Sequence, residues 1–225
     1  MNALDETVVT QDKAIVEPVD EPLPRLQVTK IVFDWDDTFM PTSWLDKIKH
    51  SPDQEGLQDL AHLSKVAISV ITQAKLYGLV IIVTNADEGW VHHSCSQHMP
   101  NLKPHLAGIP IISAQEKYSL LYPDPRQWKI AAFRDELLPD LLPYTSLNVV
   151  SIGDGIPEFT AINYLKNLIK PYLNINLITK GITLLEKPEP DMLRQQLEII
   201  YTDMKAIVEL PESMNQFMKL GGTVE

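Results

Sequence analysis

The chain has 225 residues, of which 44% are hydrophobic and 22% are charged, and its formal net charge is −11. This size and composition are those of one globular domain with extensions, and the negative charge argues against nucleic acid or an anionic membrane as partner, because both bind basic surfaces. The single cysteine, Cys95, excludes an internal disulfide and indicates a reducing compartment.

Residues 1–26 contain acids and prolines without apolar periodicity, which predicts a disordered or loosely docked arm. This segment has neither the basic nor the apolar region of a signal peptide. The most apolar stretch, 66–83, is interrupted by Gln73 and Lys75, so it indicates a helix followed by a strand rather than a membrane span. We expect a cytoplasmic protein, although export by a route without a cleavable signal stays open.

From residue 28 onward, short apolar runs alternate with amphipathic stretches. The runs predict strands at 28–33, 79–84, 109–112, 147–152 and 175–179, and the stretches predict helices at 60–77, 87–99, 126 onward, 161–169 and 193–207. This alternation predicts an α/β fold with a doubly wound, mostly parallel sheet and helices on both faces. We assign 27–210 to this core domain and 211–225 to a C-terminal tail.

Acidic and hydroxyl side chains follow three of the predicted strands. They are Asp34, Asp36 and Asp37 after the first strand, Thr84 and Asn85 after the second, and Asp154 and Glu158 after the strand at 147–152. Ligands of such sheets bind beyond the carboxyl ends of the strands, so these groups are expected at one edge.

Several carboxylates without histidine or cysteine suit a hard cation that prefers oxygen ligands, and Mg²⁺ is the expected one. A carboxylate can also act as a nucleophile toward phosphorus. In this interpretation Asp34 attacks, Asp36 serves as general acid and base, the Thr84 hydroxyl holds phosphoryl oxygens, and Asp154 completes the metal site.

The stretch "IVFDWDDT" resembles the first motif of the haloacid dehalogenase superfamily, in which an apolar strand runs into D-x-D-x-T. It places Asp34, Asp36 and Thr38 on the motif and leaves Asp37 as a filler. "LVIIVTN" resembles the second motif, an apolar strand that ends in Thr84.

"VVSIGDGIPE" resembles the fourth motif of the same superfamily, with Asp154 and Glu158 as its acids. The third motif is a lysine near the start of the preceding helix, which Lys129 in "PDPRQWKIAAF" provides, with Lys117 in "SAQEKY" as the open alternative. Lys187 in "KPEPDML" is excluded because it follows the "GDG" strand. The resemblance covers about residues 28–180.

The resemblance implies a role for each matching position. Asp34 would attack phosphorus and bind Mg²⁺, and Asp36 would be the acid and base, with its backbone carbonyl as a further metal ligand. The phosphoryl group would be held by Thr84, Asn85 and Lys129. Asp154 would bind Mg²⁺, and Thr38 and Glu158 would support these groups from behind.

The 34–84 interval holds little beyond a loop and one helix, so no large cap domain is expected. We predict a capless, Mg²⁺-dependent phosphatase that hydrolyses phosphate monoesters through an aspartyl-phosphate intermediate. The absence of a cap favours a protein or another bulky molecule as the phosphorylated substrate, with a small molecule as the open alternative, and the oligomeric state stays open.

Three alternatives are weighed against this prediction. A receiver-like phosphoacceptor module also uses strand-end acids, but it lacks acids equivalent to Asp154 and Glu158. A catalytically silent scaffold of the same fold is the second alternative. The third concerns "HHSCSQH", where His92, Cys95 and His98 are spaced to share a helix face, although without a regular zinc spacing.

Overall fold

The computed structural model describes residues 26–139, 141, 144–172 and 175–219. The predicted N-terminal arm therefore lies outside the described residues, except for Leu26. Six strands form one sheet in the order β3-β2-β1-β4-β5-β6, and every neighbouring pair is parallel. The strands are β1 (Gln27–Phe33), β2 (Leu79–Thr84), β3 (Ile111–Ser113), β4 (Ser146–Gly153), β5 (Asn176–Thr183) and β6 (Met214–Phe217).

In the described part of the chain, seven α-helices connect and cover these strands. They are α1 (Thr42–Lys47), α2 (Gln54–Tyr77), α3 (Glu88–His98), α4 (Ala114–Tyr118), α5 (Trp128–Leu137), α6 (Ile156–Tyr164) and α7 (Pro190–Glu209). Short 3₁₀ turns lie at Lys103–Leu106, Pro125–Gln127 and Lys170–Tyr172, and a π-helical turn, Leu165–Ile169, follows α6. The predicted α/β fold with helices on both faces of a parallel sheet is confirmed.

The apolar core forms two layers, one on each face of the sheet. In β1, Ile31 and Phe33 belong to the layer that includes α2, α3 and α7, whereas Val28 and Val32 belong to the layer that includes α4, α5 and α6. Successive side chains of a strand point to opposite faces, so one continuously apolar strand supplies both layers.

Helix α2 forms where the spacing of apolar residues predicted a helix. The Asp53 side chain caps its first turn by accepting a hydrogen bond from the Gly56 backbone N–H at 2.9 Å. Its predicted apolar face is buried, and the helix ends before Gly78. A Cβ at Gly78 would lie 2.5 Å from the Thr29 carbonyl oxygen, so glycine permits the tight passage from α2 into β2.

The predicted C-terminal tail from residue 211 contains a strand that the sequence did not predict, because Met214–Phe217 forms β6 at the edge of the sheet. Its sequence, "MNQF", has no apolar run, and its extended conformation depends on pairing with β5, in which Lys180 lies opposite Met214. Similarly, β5 extends to Thr183, whereas the sequence predicted that it ends at 179. The charged residue Lys180 is buried within the strand and does not end it.

No cap domain separates the first two strands. Residues 34–84 are all described, and between β1 and β2 they form only a loop, the six-residue α1 and α2. Within the described part of the chain, no helix has both the length and the apolar composition that crossing a membrane requires.

Lys180 is a buried lysine whose replacement by methionine is expected to stabilise the protein. Its Nζ donates to the Val208 carbonyl oxygen at 2.7 Å, and burial lowers its pKa to about 8. The carbonyl would keep a second donor, Asn148 Nδ2 at 3.1 Å. We expect Lys180→Met to raise the free energy of unfolding by about 1 kcal/mol at pH 7, measured by urea denaturation.

The pH dependence of this effect has a defined sign. Because the lysine pKa is lower in the folded state than in the unfolded state, its cost is fully present below about pH 8 and disappears as the pH rises to its ordinary value near 10.5. The stability difference between Lys180→Met and the wild type should therefore shrink between pH 7 and pH 10. A less stable variant at pH 7 would contradict this prediction.

Candidate active site

The carboxyl ends of β1, β2 and β4 bring three predicted site residues to one edge of the sheet. Phe33, the last residue of β1, lies opposite Ile152 of β4 and Ile82 of β2. The Asp34 backbone N–H donates to the Ile152 carbonyl oxygen at 2.9 Å, which fixes Asp34 directly beyond the strand. Asp34 therefore lies between the strand ends that lead to Thr84 and to Asp154.

Lys129 lies in the first turn of α5 and contacts Asp34. Its side chain is only 2% exposed, its Nζ lies 2.6 Å from Asp34 Oδ1, and it also forms an ion pair with Glu158. Burial alone would lower the Lys129 pKa, but the charges of Asp34 and Glu158 raise it above its usual range, so the lysine stays protonated.

The structure brings Lys129, and not Lys117, to the strand ends. Lys117 lies in α4 with its side chain 55% exposed, and it pairs with Glu136. The two candidates that the sequence left open therefore differ in burial and in partner. Lys129 faces two buried acids, whereas Lys117 forms a surface ion pair.

Glu158 holds Lys129 in place from the start of α6. One of its carboxylate oxygens contacts Lys129, and the other accepts a hydrogen bond from the Gly155 backbone N–H at 3.2 Å. The side chain passes directly over Gly153, where a Cβ would lie 2.4 Å from Glu158 Cγ. The "GDG" sequence thus leaves the space that this buried glutamate needs.

Asp34, Asp154 and Glu158 form an acidic cluster in which one carboxylate oxygen of each lies within 4.8 Å of the others. With all groups ionised, three carboxylates and the one ammonium of Lys129 leave a net charge of −2. Burial raises the pKa of Asp34 well above its usual range, although Lys129 opposes this effect, and burial together with Glu158 and Asp37 raises the pKa of Asp154 to about 7.

The three acids of this cluster lie close enough together to hold a divalent cation. Its donors are all carboxylate oxygens, the set that Mg²⁺ prefers. Both oxygens of Glu158 already accept bonds from Lys129 and Gly155, which leaves Asp34 and Asp154 as the side-chain ligands. The side chain of Asp36 is not part of the cluster, and the predicted ligation by its backbone carbonyl stays a prediction.

Asp36 is held by three side-chain donors at the same edge. Its Oδ1 accepts hydrogen bonds from the Thr42 hydroxyl at 2.6 Å and from Trp90 Nε1 at 2.8 Å, and its Oδ2 accepts one from the Thr84 hydroxyl at 3.3 Å. The residue is partly exposed, and these three hydrogen bonds orient its carboxylate. Sequence reasoning did not identify Thr42 or Trp90 as partners of Asp36, since both contacts depend on loop conformation.

Asp37, predicted to be a filler, shapes the turn that carries Asp36. Its φ of 54° lies in the left-handed region, which aspartate tolerates better than most residues. Its backbone N–H donates to the Met40 carbonyl oxygen at 2.6 Å, and its carboxylate accepts bonds from the Ser43 backbone N–H and hydroxyl. The third aspartate therefore ties the loop to the start of α1.

Thr84, Asn85 and Thr38 complete the predicted set. Thr84 is fully buried, and its hydroxyl accepts a hydrogen bond from the Ala86 backbone N–H at 3.0 Å while donating to Asp36. Asn85 Oδ1 and Thr38 Oγ1 are buried atoms without a hydrogen-bond partner among the described residues. Asn85 directly follows β2, and Thr38 lies in the loop after β1, as predicted.

No protein-family model matches this chain, and no curated protein sequence matches it either. The resemblance to the haloacid dehalogenase superfamily thus depends on the motif residues and on their placement at one edge of the sheet.

The zinc alternative in α3 finds no support. Among the described residues, the only group of histidine, cysteine and acidic side chains close enough to share a metal is Asp34, Asp154 and Glu158. Cys95 is buried, with its thiol directed to the Met99 carbonyl oxygen at 3.6 Å, whereas His92 is exposed and lies near Glu88. The spacing of His92, Cys95 and His98 is that of an ordinary amphipathic helix.

Proposed function

We propose that this protein is a Mg²⁺-dependent phosphatase of the haloacid dehalogenase superfamily that hydrolyses phosphate monoesters through an aspartyl-phosphate intermediate. The observation that carries the proposal is the buried pair of Asp34 and Lys129 within an acidic cluster whose net charge is −2 when all of its groups are ionised. A buried charge surplus is costly unless a cation offsets it. A phosphoryl-transfer site needs such a cation as well.

In the first step, Asp34 attacks the phosphorus atom, the bond between phosphorus and the leaving oxygen breaks, and Asp36 gives that oxygen its proton. In the second step, water attacks the phosphorus atom, Asp36 takes up a proton from the water, and the bond to Asp34 breaks to release phosphate. The three hydrogen bonds to Asp36 support this role because they fix the direction of its carboxyl group.

Asp34 and Asp154 would hold the cation, together with the backbone carbonyl of Asp36. When bound, Mg²⁺ supplies positive charge against the cluster and against the transferring phosphoryl group. Lys129 lies close enough to Asp34 to contact an oxygen of a phosphoryl group attached there, and Glu158 holds the lysine in that direction. Thr84 and Asn85 would be further donors to the phosphoryl group, with the Thr84 hydroxyl, which donates to Asp36 in this structure, turning to a phosphoryl oxygen.

The experiment that tests this function is hydrolysis of para-nitrophenyl phosphate with Mg²⁺ and with excess chelator. We expect turnover that requires the metal and returns when Mg²⁺ is added back. Turnover that is unchanged by the chelator, or no turnover of any phosphate ester, would overturn the proposal. A phospho-aspartate stable for minutes would instead favour the receiver-like alternative.

The affinity for Mg²⁺ is expected to depend on pH through Asp154. Because its pKa is raised to about 7, the carboxyl group is increasingly protonated below pH 7, and the cation must then displace a proton. Through Asp154 alone, the affinity is therefore expected to fall by up to about tenfold per pH unit below 7, and protonation of Asp34, whose pKa is also raised, steepens this fall. Calorimetric titration with Mg²⁺ from pH 5.5 to 8.5 measures this, and a flat profile would contradict it.

A further inference from the structure

A small apolar pocket adjoins the acidic cluster at the same edge of the sheet. It has a volume of about 250 Å³, and Asp154 forms part of its wall. The rest of the wall comes from the ends of β5 and β6 and from the first turn of α6, including Ile156, Phe159, Leu185 and Phe217. A group bound there would therefore lie next to a residue that we assign to the cation site.

The pocket is built on fixed backbone. The Leu184 N–H donates to the Gly153 carbonyl oxygen at 2.7 Å, and the Met218 N–H donates to the Thr183 carbonyl oxygen at 2.8 Å. The Leu185 N–H donates to the Gln196 side chain at 2.7 Å. These bonds join the ends of β4, β5 and β6, so the pocket exists before any ligand arrives, as binding sites for small groups usually do.

The wall combines exposed apolar side chains with acids. Ile156 and Phe217 are 70% and 56% exposed, and the rings of Phe159 and Phe217 lie 5.2 Å apart. Asp154 and Glu186 are the charged residues of the wall, and none of the described residues that line it is a lysine, arginine or histidine. Such a wall favours an apolar group and repels a second phosphate or a carboxylate.

We propose that this pocket binds the leaving group of the substrate, and that the substrate is the phosphate monoester of a compact, uncharged alcohol with an aromatic ring or a short apolar chain. The inference rests on the proposed phosphatase function. A volume of about 250 Å³ lies below the roughly 300–1,000 Å³ of pockets for drug-sized ligands, so it accommodates one ring rather than a polycyclic group. The leaving groups of sugar bisphosphates and nucleotides are not compact, uncharged and apolar in this sense.

The test compares esters whose alcohols have similar acidity, so that leaving-group chemistry does not decide the result. The substrates are benzyl phosphate, glycerol 1-phosphate and 4-carboxybenzyl phosphate, each assayed with the full chain and Mg²⁺. We expect kcat/KM for benzyl phosphate to exceed that for each of the other two by at least about tenfold. A comparison of kcat/KM for phenyl phosphate with kcat/KM for a phosphotyrosine peptide then shows whether the ring belongs to a free ester or to a protein side chain.

Phe217→Ala tests the pocket itself, because this exposed side chain can be shortened without removing core packing. We expect the ratio of kcat/KM for benzyl phosphate to that for glycerol 1-phosphate to fall about fivefold to tenfold, chiefly through KM, and Phe217→Leu to restore most of it. Leu76→Ala is the matched control. Leu76 is 79% exposed near the end of α2, away from the pocket wall, and this variant should keep the wild-type ratio.

Two failures are distinguishable. Equal turnover of benzyl phosphate and glycerol 1-phosphate, with a ratio that Phe217→Ala leaves unchanged, would overturn the pocket assignment while the phosphatase function stands. No Mg²⁺-dependent turnover of any ester, para-nitrophenyl phosphate included, would overturn both.

Discussion

Replacing Asp34 with asparagine is expected to lower kcat/KM for para-nitrophenyl phosphate by more than about 10³-fold, because the amide cannot form the aspartyl-phosphate intermediate. The two side chains have nearly the same shape, so the packing around β1 is preserved. In addition, the substitution removes one ionisable acid from a cluster whose net charge is −2 when all of its groups are ionised, and it leaves Lys129 paired with Glu158. Activity should therefore disappear without loss of stability.

Two measurements on Asp34→Asn separate this mechanism from a general structural effect. Urea denaturation in chelator is expected to give a free energy of unfolding equal to or above that of the wild type, since charge repulsion decreases. Asp135→Asn is the matched control, because Asp135 lies further along α5 than Lys129 and forms an exposed pair with Arg134. It should keep full activity, and an active Asp34→Asn would exclude Asp34 as the nucleophile.

Much of this site is predictable from the sequence because strand ends in a parallel sheet must meet at one edge. The apolar runs locate β1, β2 and β4, and whatever follows them is brought together, as Asp34, Thr84 and Asp154 are. The two acids separated from these strands by only a turn, Asp36 and Glu158, also appear where their spacing predicts.

Other features depend on contacts that no local pattern encodes. The strand β6 exists because β5 offers an unpaired edge to four residues that have little apolar character of their own. The roles of Asp37 and Trp90 follow from a turn with positive φ and from the way α3 meets that turn. Likewise, Lys117 lies in α4 and Lys129 in α5, so local sequence does not distinguish the two lysines. Only the packing of α5 against α6 places Lys129 beside Asp34.

Replacing Lys129 with methionine is expected to have the second large effect, on stability as well as on activity. The lysine contacts both Asp34 and Glu158, and all three side chains are at least about nine-tenths buried. Removing the only ammonium group that the described residues bring to this cluster leaves uncompensated buried carboxylates, which costs about 3–5 kcal/mol. We expect a loss of that size in urea denaturation with chelator, and a fall in kcat of about 10²–10³-fold from the missing phosphoryl contact.

Lys117→Met is the matched control, because it removes an exposed pair with Glu136 and should cost less than about 1 kcal/mol with full activity kept. In Lys129→Met, Mg²⁺ should restore part of the lost stability by binding the folded state.

Adding Glu158→Gln to Lys129→Met should also restore stability, because it removes one uncompensated charge, but it should not restore activity.

The stability of Lys129→Met is expected to depend on pH. Burial raises the pKa of Asp34, so its carboxyl group binds a proton more readily when folded than when unfolded, and the variant, which lacks the opposing charge of Lys129, should gain stability relative to the wild type as the pH falls from 8 to 5. If Lys129→Met were as stable as Lys117→Met at every pH, the acidic cluster would not carry the charge surplus on which the cation site depends.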